Sequence, residues 1–170
     1  FKALNSVNYP HLCDAGVGFN FNHHFILKPD FTRPMIPHTK LDPNVVIFSL
    51  FPGIQENIVR HVLDAPELKG IVMRSYGSGN APRQEWLLRI LREASDRGVT
   101  VINISQCISG CVEMNRYNNG YQLKNAGVIS GYDSTVESAA TKLMFLQGKY
   151  SDNTLIRKDM NRALCGEITI

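Results

Sequence analysis

Three short runs decide the fold: Val45-Val46-Ile47-Phe48, Gly70-Ile71-Val72-Met73 and Val99-Thr100-Val101-Ile102-Asn103-Ile104. Each is a compact, β-branched-rich segment of strand length, and each is nearly apolar throughout. Strands buried on one face alternate apolar with polar, whereas strands covered on both faces read as continuous apolar runs. Helical patterns separate the runs. After the turn Phe51-Pro52-Gly53, the spacing predicts a helix with Ile54, Ile58, Val62 and Leu63 on one face, closed by Pro66. After the loop Ser75 to Ala81, Pro82 is expected to open a second helix with Leu87, Ile90, Leu91 and Ala94 on its buried stripe. Gly98 reads as its C-terminal cap. The order strand, helix, strand, helix, strand implies a parallel sheet with helices on both sides, a three-layer Rossmann-like α/β domain.

Working outward, Ser134-Thr135-Val136-Glu137 reads as a capping box that starts a further helix and commits Glu137 to it. Another helix begins near Asp152 and carries Leu155, Ile156, Met160, Ala163 and Leu164. Towards the N-terminus, five of the eight prolines fall within the first 43 residues. Gly18 to Leu27 reads as one or two strands, with Phe19 and Phe21 alternating with asparagines. Residues 29–44 hold too many prolines for a helix or a central strand, so they read as an interdomain linker. Residues 1–28 are then expected to be the end of a larger N-terminal α/β domain, and 45–170 the C-terminal domain. Phe1 is neither an initiator methionine nor part of a secretory signal, which suggests a chain that begins partway through a longer one.

Composition narrows the function. Of the 170 residues, 44% are hydrophobic and 19% charged, an ordinary globular balance. Eighteen lysines and arginines against fifteen acids leave a net charge of +3. That is too small to point to nucleic acid or an anionic membrane. The longest apolar run, Val45 to Phe51, is interrupted by Ser49 and falls far short of a membrane span. Cys13, Cys107, Cys111 and Cys165 contain no C-x-x-C pair and no second cluster of Cys or His, so no zinc site is expected. Reduced thiols and a cytoplasmic location are the expectation. His23 and His24 would point to opposite faces of a strand and cannot form one metal site.

In an open parallel sheet, ligands bind outside the carboxyl ends of the strands. The loops there are Phe51-Pro52-Gly53, Arg74 to Asn80, and Ser105 to Gly110. All are rich in glycine, hydroxyls and amides. Arg74 and Cys107 would therefore sit on neighbouring strand ends, within reach of one small ligand. A guanidinium at a strand end can grip a carboxylate or phosphate bidentately, or it can pair with a surface acid. Gly77-Ser78-Gly79-Asn80 superficially suggests a dinucleotide fingerprint, but Pro82 stands at the third glycine position and no Gly-Lys-Ser/Thr follows. Asn80 either points outward from a tight turn or caps the next helix. Cys107 and Cys111 read as structural thiols. Tyr117-Asn118-Asn119-Gly120 forms either a site lip or a plain loop. No nucleophile with an evident base stands out.

These loops resemble those of bacterial type I (cytoplasmic) L-asparaginases. The resemblance rests on Leu50-Phe51-Pro52-Gly53-Ile54, Arg74-Ser75-Tyr76-Gly77-Ser78-Gly79-Asn80-Ala81-Pro82, Glu93-Ala94-Ser95-Asp96-Arg97-Gly98 and Gln106-Cys107-Ile108-Ser109-Gly110. It continues through Asn125-Ala126-Gly127-Val128-Ile129-Ser130-Gly131, Ile156-Arg157-Lys158 and Gly166-Glu167-Ile168-Thr169. Phe1 to Ser6 and Asn8-Tyr9-Pro10 also fit. The resemblance implies a two-domain amidohydrolase about twice this length, converting asparagine to aspartate and ammonia. In that family a threonine is the nucleophile, a second Thr with an Asp and a Lys moves the proton, and backbone amides hold the oxyanion. No cofactor or metal is implied. The Thr-Gly-Gly-Thr and His-Gly-Thr-Asp-Thr motifs are absent from this stretch, so no catalytic nucleophile is assigned in it. Asn80 matches a residue that reaches the neighbouring subunit's active site, which implies a homodimer or homotetramer. Arg74 and Cys107 match residues of an allosteric pocket, making L-asparagine both substrate and effector. Cys111 stands where the family often has a basic residue. Two other readings remain open: a non-catalytic amino-acid-binding regulatory module, and the asparaginase-like subunit of a tRNA-dependent amidotransferase.

Overall fold

The computed structural model describes residues 6–32, 34–115 and 118–170, and the side chains of 118 and 119 are outside that description. The matches at 1–5 and the expectation for Tyr117 lie outside the described residues. The chain divides into two compact units, Phe1–Pro37 and His38–Ile170. In the first, β1 (Cys13–Ala15) pairs antiparallel with β2 (Phe19–Phe21), and the alternating phenylalanines Phe19 and Phe21 are both exposed. His23 and His24 lie in the turn that follows β2 rather than in a strand, a correction to the sequence reading.

The second unit carries a parallel four-stranded sheet in the order β3 (Val45–Ser49), β4 (Gly70–Ser75), β5 (Thr100–Ser105), β6 (Ile129–Ser130). Helices α1 (Glu56–Leu63), α2 (Glu85–Asp96) and α3 (Asn118–Asn125) connect successive strands. Each step moves the chain one strand along in the same direction, so right-handed crossovers place all three on one face. The core shows this directly. Ile71, Met73 and Val101 pack with Val59, Leu63, Leu87, Ile90, Leu91 and Leu123. Val72, Ile102 and Ile104, their neighbours in the pleat, pack instead with Leu143 and Leu146 of α4 (Val136–Lys149) and Ile156 and Met160 of α5 (Asn153–Met160). The strands are apolar on both faces because both faces are covered.

Four local expectations need correction. Helix α1 buries Val59 and Leu63, while Ile58 and Val62 are 58% and 40% exposed. Both pairs are spaced i,i+4, so periodicity could not choose between stripes one residue apart. Hydrogen bonds from Arg60 to Glu93 and from Arg89 to Glu56, at 2.9 and 2.8 Å, run between α1 and α2. Helix α2 begins at Glu85 with Gln84 as N-cap, not at Pro82. Its stripe of Leu87, Ile90, Leu91 and Ala94 is buried as expected, and it ends at Gly98 in the left-handed region (φ 88°). Helix α4 is capped by Thr135, whose Oγ1 accepts from Ser138 N at 3.2 Å, so the cap lies one residue later and Glu137 is not its closing member. Helix α5 is capped by Asp152 and stops at Met160, leaving Ala163 and Leu164 beyond it.

Beyond α5, the segment 164–167 wraps the Glu167 carboxylate. Leu164 N and Cys165 N donate to it at 3.0 and 2.7 Å, and Lys142 Nζ of α4 lies 2.5 Å away. Lys142 Nζ also donates to the carbonyls of Met160 and Arg162. Burial pushes the Glu167 carboxyl up, but these donors outweigh it and hold its pKa at about 2.

Candidate functional site

Strands β3, β4 and β5 are adjacent, and their carboxyl ends are stitched together. Leu50 N donates to Arg74 O at 2.9 Å, and Gln106 N donates to Ser75 O at the same distance. The Gln106 side chain then spans both neighbouring strand ends: Nε2 donates to Arg74 O at 2.8 Å and to Leu50 O at 2.5 Å. One amide of the β5 loop thus locks the tips of β4 and β3. The loop that carries Cys107 is thereby held across the end of the strand that carries Arg74.

Arg74 lies within β4, in register with Ser49 and Ile104, rather than just after the strand. It shares the α4–α5 face with Val72, because side chains alternate along a strand. It is half-buried. Nη1 donates to Ser49 Oγ at 3.4 Å, and Nε is buried without a partner among the described residues. Among the described residues no carboxylate lies within ion-pair distance of it, so the surface-pair reading does not hold. Cys107 is exposed, and its N–H donates to Ser105 Oγ at 3.0 Å. A cavity of about 420 Å³ lies between the Phe51–Gln55 loop and Tyr76, Pro82 and Gln84, with neither Arg74 nor Cys107 in its wall.

Asn80 sits on the opposite face, in the loop from β4 to α2. Its backbone closes a bridge with Tyr76: Tyr76 N donates to Asn80 O and Asn80 N donates to Tyr76 O, both at 2.8 Å. Three successive carbonyls of this loop each accept a hydrogen bond. Ser105 Oγ donates to Gly77 O at 2.6 Å, Glu113 N to Ser78 O at 2.9 Å and Asn103 Nδ2 to Gly79 O at 3.0 Å. Asn80 does not cap α2, whose N-cap is Gln84. Its half-buried side-chain amide makes no hydrogen bond among the described residues.

The remaining candidates separate from this cluster. Cys107 and Cys111 are exposed and outside any disulfide, not packed structural thiols, and Cys111 Sγ donates to Glu113 Oε1 at 3.8 Å. Among the described residues no group of three or more His, Cys, Asp or Glu is placed to hold a metal. Asn118 to Asn125 is helical, so the segment read as a lip or loop opens α3. A larger cavity, about 890 Å³, lies elsewhere, along the free edge of β6 beside Cys111, Tyr132 and Arg157. Gln106, Ser105 and Asn103 were not singled out from the sequence. Asn103 carried a signal, being the one amide inside an otherwise apolar strand.

A parallel sheet covered by helices on both faces, with polar groups gathered at the strand carboxyl ends, defines a three-layer α/β domain of the architecture in which ligands bind at those ends. Comparison with known proteins makes this specific: the chain belongs to the glutaminase/asparaginase family, and its residues 44–160 match the Glutaminase/Asparaginase C-terminal domain. L-asparaginase 1 of Escherichia coli (strain K12) is 40% identical over 169 residues, which cover 99% of this chain and 49% of that protein. The 60 kDa lysophospholipase of Homo sapiens is 36% identical over 99% of this chain and 29% of its own length. A glutamyl-tRNA(Gln) amidotransferase component of Methanobrevibacter smithii is 34% identical over 98% of this chain and 37% of its own length. The crystal structure of L-asparaginase I from Vibrio cholerae superposes with a TM-score of 0.93 at 32% identity, over the whole of this chain and 51% of that one. The chain thus spans about half the length of these two L-asparaginases. Among the described residues no helix is long and apolar enough to cross a membrane.

Proposed function

We propose that this chain is the C-terminal part of a cytoplasmic, homo-oligomeric L-asparaginase, and that it completes the active site of a neighbouring subunit through Asn80. The observation that carries the reading is the state of Asn80. Its backbone is fixed on both sides, yet its side-chain amide has no partner among the described residues. An amide held rigidly and left unsatisfied is suited to a ligand from outside. The nucleophilic threonine, its Thr–Asp–Lys partners and the oxyanion donors belong to residues preceding Phe1 in the longer protein. Asn80 of one subunit then orients asparagine bound in the other.

Arg74 and Cys107 form the second part of the proposal, an effector site for L-asparagine. The support is electrostatic. A half-buried guanidinium with no acidic partner among the described residues is a ready receptor for an α-carboxylate. Its placement on the sheet face opposite Asn80 separates effector from substrate. Effector binding biases activity only if asparagine prefers one of two states. Similarity to the amidotransferase component supports a second reading, the asparaginase-like part of that complex.

The test is ammonia release by the full-length protein. The proposal expects hydrolysis of free L-asparagine with sigmoidal substrate dependence, lost in Arg74→Ala, and a fall of about 100-fold in kcat/KM in Asn80→Ala. It also expects no activity from the 170-residue stretch alone. Full activity of Asn80→Ala, or unchanged sigmoidality in Arg74→Ala, overturns the corresponding part. Hydrolysis only in the presence of charged tRNA favours the amidotransferase reading.

A further inference from the structure

We infer that Asn103 is a positioning residue for Asn80, a role that rests on the reading of Asn80 given above. Asn103 is fully buried in the centre of β5, where a polar side chain needs a specific reason to stand. On the neighbouring strand its register partner is Met73, and its own face packs against α1–α3. Its Nδ2 donates to Gly79 O at 3.0 Å, while its Oδ1 is buried without a partner among the described residues. The donor is the half of the amide that is used: a leucine or valine there would leave Gly79 O without this bond.

The bond acts on the peptide plane that joins Gly79 to Asn80. At one end of the plane Gly79 O is held by Asn103 Nδ2, and at the other Asn80 N donates to Tyr76 O. A plane held at both ends fixes the Cα of Asn80 and the direction in which its side chain leaves. The fit is close. Gly79 has φ of 105°, and a Cβ there would stand 2.7 Å from Val112 Cγ1 and 3.2 Å from Asn103 Nδ2. Only glycine lets the carbonyl approach the amide in this conformation.

The experiment uses the full-length protein with three single substitutions: Asn80→Ala, Asn103→Asp and Asn103→Leu. Asn103→Asp keeps the shape and replaces the donor with an acceptor, and Asn103→Leu removes both the donor and the orphaned oxygen. Each Asn103 variant is expected to lower kcat/KM for asparagine by about 10- to 100-fold, the scale of a displaced catalytic contact. Asn103→Leu also leaves Gly79 O without that donor, so its melting midpoint is expected to fall while the transition stays cooperative, and the comparison between backgrounds separates this cost from the positioning role. In the Asn80→Ala background the same changes are expected to cost less than about twofold, since the residue they position is gone. Equal losses in both backgrounds, or no loss in the parent, overturn the role of Asn103 while leaving Asn80 in place. If Asn80→Ala alone keeps full activity, the Asn80 reading fails first and this one falls with it. Should Asn103→Asp not fold, the Asn103→Leu arm decides.

Discussion

Replacing Glu167 by glutamine removes the charge that Lys142 faces and tests how the C-terminal segment is held. The Lys142 side chain is 5% exposed and that of Glu167 11%, so the pair is poorly screened by solvent. In the fold the Glu167 carboxyl sits at about 2, against an ordinary 4.5. That difference is worth about 3 kcal/mol of folding stability at neutral pH. Breaking one side of a buried pair also typically costs about 3–5 kcal/mol. The two estimates agree, so Glu167→Gln is expected to lose about 3 kcal/mol in urea denaturation at pH 7. The sign with pH follows from the depressed value. The stabilisation is fully present above pH 4.5 and is lost as pH falls towards 2. The gap between parent and Glu167→Gln should therefore close across that window. A gap below about 0.5 kcal/mol at pH 7, or one that does not change between about pH 5 and pH 2, refutes the clamp.

Other consequences follow from the same geometry. Adding Lys142→Met to Glu167→Gln removes the stranded charge and is expected to recover more than half of the lost stability in the same urea assay. Gly148→Ala is expected to destabilise by about 2 kcal/mol despite alanine's better helix propensity, because the new Cβ would stand 2.2 Å from Lys40 O; a more stable variant would refute the contact. Saturating L-asparagine should slow alkylation of Cys107 at least about fivefold while leaving Cys165 unchanged, read site by site by mass spectrometry. Equal rates at Cys107 with and without asparagine would remove it from the proposed effector site.

The layer architecture was legible because it rests on long, strongly apolar elements. The runs at 45–48, 70–73 and 99–104 each became a strand, and the stripe from Leu87 to Ala94 faced the sheet. What escaped was set by packing or by scale. Strand β6 has two residues, too few for any pattern, and α3 opens with two asparagines and a glycine. The rotation of α1 was ambiguous because Ile58–Val62 and Val59–Leu63 have the same spacing. At the site, motif resemblance pointed to Asn80, Arg74 and Cys107, and adjacency of β3, β4 and β5 placed the last two on neighbouring strands. The hydrogen bonds that hold these loops come from Gln106, Ser105 and Asn103, whose partners lie 24 to 56 residues away in sequence. Pairings at that separation are a property of the folded sheet and leave only faint local marks, such as an amide in the middle of β5.

Complementation between two inactive forms of the full-length protein tests shared-site catalysis most directly. One form carries Asn80→Ala, and the other keeps Asn80 but has the proposed nucleophilic threonine of the full-length protein replaced. Mixed under conditions that let protomers exchange, half the dimers pair the two forms, and each of those holds one intact site. Ammonia release should rise to about a quarter of the parent value. Mixtures that form heterodimers yet stay as inactive as their components would contradict the account.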